Sequence, residues 1–194
     1  MNDINTMTGR ISKRGFTLIE LLIVIGILAI LATTVVLVLN PAQILQESRD
    51  TQRIADLRSI TEAIALAGIA NPQGFTTTAA QCTVSGSCNP FSGGTCTGGA
   101  GTCTVVTSRA VTGTGWVAFN FGTNPTMSVL PIDPTNTACT ATAGFCYASK
   151  ASITGPSAPF ELNAHLESAK YSGLMATDGG SNNNFYEVGT ALNL

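Results

Sequence analysis

KRGFTLIELLIVIGILAILATTVVLVL, residues 13–39, carries two basic side chains at its start and one acidic side chain, Glu20, inside an otherwise apolar run. The run from Phe16 to Leu39 exceeds the ~20 residues that a helix needs to cross a ~30 Å hydrocarbon layer. Arg10, Lys13 and Arg14 stand directly before it, and positive charge holds that flank in the cytoplasm. The run is also longer than the ~7–15-residue core of an ordinary secretory signal, and no A-x-A-like site follows in residues 35–42. It reads as a membrane helix that stays with the mature chain. Glu20 is the anomaly, because a carboxylate inside a span costs ~2.5–3.5 kcal/mol on insertion scales unless it reaches the interface or finds a partner.

Beyond Leu39 the pattern becomes amphipathic. Ile54, Leu57, Ile60 and Ile64 recur at three- and four-residue spacings, so this half is expected to lie against a globular head. Arg49, Asp50, Arg53, Asp56, Arg58 and Glu62 fall mostly off that stripe, with Asp50–Arg53 and Arg58–Glu62 at helical pairing distance. They read as a solvated face or as a set available for pairing between subunits. One helix is predicted from Phe16 to about Ala67, a rod of roughly 75–80 Å at ~1.5 Å per residue. Pro41 removes a backbone donor and predicts a kink or local melting near Leu37–Pro41, and Gly26 is a second soft point.

The whole chain has 194 residues, 44% hydrophobic and only 10% charged, with a net charge of −2. Such a length accommodates about one domain of ~100–150 residues and an appendage. No basic block is present to neutralise a run of phosphates, so no dedicated nucleic-acid site is evident. Residues 63–108 contain no charged side chain and are dense in Gly, Thr and Ser, with Cys82, Cys88, Cys96 and Cys103. With Cys139 and Cys146 the count is six, which in an uncharged, Gly-rich chain suggests disulfide staples in an oxidising compartment. Six cysteines allow fifteen pairings, and close spacing favours Cys82–Cys88, Cys96–Cys103 and Cys139–Cys146. Zinc is the chemical rival, but the spacings lack a C-x2-C knuckle and the single histidine, His165, is remote. With one histidine there is no case for a Ser-His-Asp or Cys-His system, so the chain does not read as an enzyme.

The remainder alternates short strand-like runs with turns: residues 102–107, 116–121, 145–149, 160–166 and 185–188. Pro131, Asp133 and Pro134 spell a rigid turn. Asp178, Ser181, Asn182 and Asn184 in DGGSNNN offer hard oxygens that read as an Asn/Gly turn or as a calcium site, the latter leaving calcium as the single candidate cofactor. The divisions that follow are 1–15, 16–40, 41–68, 69–108 and 109–194. The fold class is α+β, with a long N-terminal helix packed on a small antiparallel sheet.

Read together, the basic pair, Gly15, Phe16, Glu20 and the apolar helix resemble the N-terminal signature of the type IV pilin and pseudopilin family. The fragments GWVAFNF, LPIDPTN, FELNAHLESAKY and DGGSNNNFYEVGT are similar, more weakly, to head elements of small pilin-like proteins. The resemblance implies that 1–15 is a leader cut between Gly15 and Phe16 by a prepilin peptidase, with N-methylation of Phe16. Loss of Asp3, Arg10, Lys13 and Arg14 then leaves six basic and ten acidic side chains. It further implies that Glu20 meets the Phe16 amine of a neighbouring subunit during assembly. The implied partners are further copies of the chain in a helical homopolymer, the pilus assembly platform and its ATPase. The implied route is from the cytoplasmic membrane to an extracellular filament. Two alternatives stay open: a pseudopilin of a type II secretion-like system, and a membrane-tethered adhesive module whose stapled loop contacts a surface or sugar.

Overall fold

A computed structural model describes residues 15–70, 73–84, 91, 103–138 and 145–194. The chain divides into two compact units, Met1–Pro41 and Ala42–Leu194. The first contains α1, Leu18–Leu39. Its described side chains are all exposed, and its only hydroxyls are satisfied within the helix, Thr33 Oγ1 donating to the Ala29 carbonyl at 2.8 Å and Thr34 Oγ1 to that of Leu31 at 2.8 Å. A helix with no unpaired backbone or hydroxyl group on an apolar surface is what a lipid environment requires.

The expected single helix is two helices. α1 runs unbroken through Gly26, which lacks a side chain but keeps its N–H and so maintains the backbone ladder. It ends where Asn40 takes a left-handed conformation (φ 38°, ψ 76°) immediately before α2, Pro41–Ala70. The cause is Pro41: its ring disfavours the helical region for the preceding residue, and asparagine is among the few residues that visit the left-handed region at small cost. Proline itself is well placed at the first position of α2, where its missing N–H would have had no partner.

The second unit is an α+β, pilin-like head. Leu57, Ile60 and Ile64 of the predicted stripe are buried, with Ala63 and Ala67 completing the face, while Ile54 is half-buried. They share one core with Phe75, Trp116, Phe119, Leu130, Tyr147, Phe160 and Leu162. Trp116 is fully buried and its indole N–H donates to the Pro131 carbonyl at 2.8 Å, so the ring anchors the loop that leads into Asp133.

The strands are β1 (Gly74–Phe75), β2 (Gln81–Cys82), β3 (Thr104–Val105), β4 (Phe119–Asn120), β5 (Tyr147–Ala151), β6 (Phe160–Ala164) and β7 (Tyr186–Gly189). β1 pairs with β4, and a five-stranded sheet runs β3-β2-β5-β6-β7. The sheet is mixed, not wholly antiparallel as expected, because β2 and β3 are parallel, Gln81 opposite Thr104 and Cys82 opposite Val105. That register brings Cys82 and Cys103 together as a disulfide, with Cα atoms 5.8 Å apart. The pairing replaces the short loops Cys82–Cys88 and Cys96–Cys103 that sequence spacing suggested. Proximity on neighbouring strands, not proximity along the chain, decides the partner. Cys146 is also disulfide-bonded, and Cys88, Cys96 and Cys139 lie outside the described residues.

Candidate functional site

Two sets of polar residues stand out, one at the start of α1 and one buried in the head. At the first, Thr17 is the N-cap: its hydroxyl accepts from the Glu20 N–H at 3.2 Å, and Glu20 Oε2 in turn accepts from the Thr17 N–H and the Thr17 hydroxyl, both at 2.8 Å. This reciprocal capping box satisfies donors that the first helical turn leaves open, and its carboxylate lies at the positive end of the helix dipole. Glu20 therefore has a partner inside its own chain. The signal was present in the sequence as Thr17-x-x-Glu20 before an apolar run, the capping-box spacing. Among the described residues only Oε2 is engaged, and Phe16 is exposed beside it.

The second set includes charges expected on a solvated face or in pairing between subunits, and part of it is buried instead. Asp50 and Arg53 of α2 are fully buried. Arg53 Nε donates to Asp133 Oδ2 at 2.7 Å and Nη2 to Oδ1 at 3.1 Å, a bidentate pair. Its Nη1 donates to Asp50 Oδ1 and to Glu167 Oε1, each at 2.8 Å, and its guanidinium lies 4.4 Å from the centre of the Phe145 ring. Arg49 closes the network with a bidentate pair to Glu167, at 2.6 and 2.8 Å. Asp50 also accepts the backbone N–H groups of Glu167 and Ser168, and Asp133 those of Thr135 and Asn136. Two arginines and three carboxylates thus stitch α2 to the 133–136 turn and to the segment following β6.

Burial works against the charge on Asp133 and Glu167, but the arginine contacts outweigh it. For Asp133 these are the Arg53 bonds together with the Thr135 N–H, and for Glu167 the bonds from Arg49 and Arg53, so both carboxyls sit below their ordinary range. Burial likewise disfavours the Arg53 cation, yet its three carboxylate partners raise its affinity for the proton. Asp56 is pushed up by burial, with the Tyr147 hydroxyl, donating to Oδ2 at 2.7 Å, working the other way. Arg58 and Glu62 do lie on the exposed face.

The hard-oxygen loop is occupied by its own backbone. Asp178 Oδ1 accepts the Gly180 N–H at 2.9 Å and Oδ2 the Glu187 N–H at 2.8 Å, while Asn182 Oδ1 accepts that of Asn184 at 3.2 Å. Among the described residues no group of three or more His, Cys, Asp and Glu side chains is arranged to hold a metal ion. His165 lies just after β6, half-buried between Phe145 and Phe185, its Nδ1 2.7 Å from the Asn184 carbonyl oxygen.

An exposed apolar helix, capped by Thr17 with Glu20, thus precedes a disulfide-bonded α+β head. Residues 18–36 are long and apolar enough to cross a membrane. The family model for the prokaryotic N-terminal methylation motif matches residues 10–36, so the chain carries the type IV prepilin signature. No curated protein and no solved structure gives a significant match to the chain.

Proposed function

We propose that the chain is a prepilin, a structural subunit cut between Gly15 and Phe16, methylated on the new Phe16 amine, and polymerised through α1 into an extracellular filament. The observation that carries this reading is the methylation motif over 10–36, whose residues 18–36 belong to an apolar helix with all its described side chains exposed. Such a helix needs an apolar cover, first lipid and then the helices of neighbouring subunits. The capping box adds a chemical reason for Glu20. One carboxylate oxygen holds the start of its own helix, and the other accepts the Phe16 ammonium of the next subunit, which offsets two charges that apolar surroundings penalise. Glu20 then sets the axial register between subunits. The Cys82–Cys103 bond fits an oxidising exterior for the head.

The test uses the full chain expressed with a prepilin peptidase and its assembly machinery. Wild type is cut and recovered in filaments sheared from cells, Gly15→Val stays uncut in the membrane, and Glu20→Ala is cut but missing from filaments. Cleavage of Gly15→Val, or normal filament yield from Glu20→Ala, overturns the assignment. Cut wild type that never leaves the membrane replaces the pilus role with a pseudopilin role.

A further inference from the structure

β6 and β7 place three polar side chains on one face of the sheet, inside the head. Glu161 and Asn163 are two apart on β6, and Glu187 of β7 stands directly opposite Asn163 in the antiparallel register. Glu161 and Asn163 are fully buried and Glu187 is 1% exposed. Glu161 Oε1 accepts the Asn163 side-chain amide at 2.9 Å, and Oε2 the Leu194 N–H at 2.9 Å. Glu187 Oε2 accepts the Asn182 N–H at 3.0 Å. Two oxygens on this face have no donor, Glu187 Oε1 and Asn163 Oδ1. Among the described residues no basic side chain forms a salt bridge with either carboxylate. Glu161 stands opposite Gly189, so the two Glu side chains are diagonal neighbours on that face.

A carboxylate buried beside another carboxylate, with no cation between them, is disfavoured in its ionised form, and a proton on it turns an orphaned oxygen into a hydrogen-bond donor. We propose that Glu187 holds a proton facing Glu161 and forms a pH-sensitive clasp, which pins residues 178–184 and 190–194 to β6 and β7 and loosens as that proton becomes easier to lose. The clasp's anchors are on the page: Asn182 N–H on Glu187, Leu194 N–H on Glu161, and Gly180, whose backbone packs so closely on the Glu187 carboxyl that a side chain there would collide with it. The other charged groups facing Glu187 are Asp178, whose Oδ2 accepts the Glu187 N–H, and Arg58 and Glu62 of α2, which line the same 480 Å³ cavity.

Burial, with the like charges of Glu161 and Asp178 added and the Asn182 N–H opposing, pushes Glu187 up to about 8 from an ordinary 4.5. The sign follows from linkage. The closed state holds a proton that the open state gives up, so the clasp's stability is complete below the ordinary value and declines as pH rises towards the raised one. Opening becomes about tenfold more favourable per pH unit across that window and levels off above it.

The experiment is hydrogen exchange on the full chain in detergent micelles, followed by mass spectrometry of peptides covering 178–194, with β5 peptides as internal reference. Protection of 178–194 is expected to fall by about tenfold per pH unit between about pH 5 and 8 and then to flatten. Glu187→Gln replaces that proton with an amide donor and is expected to give protection independent of pH; Glu161→Gln should at least halve the slope on a logarithmic scale. Infrared spectra of the wild type provide a readout independent of any variant's folding: the carbonyl stretch of a protonated carboxylic acid should be present at pH 7 and bleach on passing pH 8. No bleach, or wild-type protection that does not change with pH, overturns the proposal. So does protection at pH 7 that collapses with EDTA and returns with calcium, which would put a cation where we place a proton. None of these results bears on cleavage at Gly15.

Discussion

Replacing Arg53 with Met keeps the length and apolar stem of the side chain and removes five hydrogen bonds: two to Asp133, one each to Asp50 and Glu167, and one to the Thr135 hydroxyl. Arg49 then pairs with Glu167 alone, and Asp50 and Asp133 keep only neutral hydrogen-bond donors, in a site where neither has exposed side-chain surface. Breaking a buried ion pair by removing one partner costs about 3–5 kcal/mol, because the stranded charge is not rehydrated. For a chain of this size ~1 kcal/mol shifts the melting temperature by about 2–4 °C, so Arg53→Met should lower it by roughly 6–20 °C. The assay is thermal unfolding of the full chain in detergent, followed by fluorescence of Trp116, the single tryptophan. Adding Asp133→Asn to Arg53→Met should recover part of the loss by removing one stranded charge. A drop below about 2 °C would refute the reasoning, since it would mean that the network sits in water and not in the core.

The same network gives a pH dependence. Asp133 and Glu167 have folded values below their ordinary 3.8 and 4.5, so their contribution is present above those ordinary values and is lost as pH falls through the lower ones. Acid titration of wild type should show a melting-temperature decline setting in below about pH 4.5 that Arg53→Met largely lacks. Removing the disulfide with Cys82→Ser and Cys103→Ser opens a loop spanning 21 residues and should cost ~3 kcal/mol in denaturant unfolding of the head, with α1 helicity by circular dichroism retained. Gly74 has a φ of 60°, and a Cβ there would overlap the Gly155 backbone, so Gly74→Ala should destabilise by more than the ~1 kcal/mol of an ordinary glycine substitution and expose β1 to exchange.

The helical part of the fold was legible because its signals are local. The apolar run of 16–39, Pro41 and the Leu57–Ile60–Ile64 stripe each act within a few residues, and the five strand-like runs overlap β3 to β7. What was not legible depends on contacts distant in sequence. Asp50 and Arg53 look like helix-surface charges until Asp133, 80 residues away from Arg53, and Glu167, 114 away, arrive to cover them. The disulfide partner of Cys82 was hidden for the same reason, since β3 must first lie parallel to β2. β1 and β2 are two residues each in the Thr- and Ala-rich run 74–82, which lacks the β-branched and aromatic alternation that flanks β3 and β4. At the N-terminus the reverse holds: the Thr17–Glu20 box was spelled in the sequence and overshadowed by the oddity of an acid in an apolar run.

The central claim is that this chain is processed at Gly15 and assembled through α1. Intact mass, with and without reduction, of protein sheared from the native cell surface and of the membrane fraction tests it most directly. The account expects sheared material that begins at methylated Phe16 and gains six hydrogens on reduction, one for each cysteine. A chain that begins at Met1 in both fractions would contradict it.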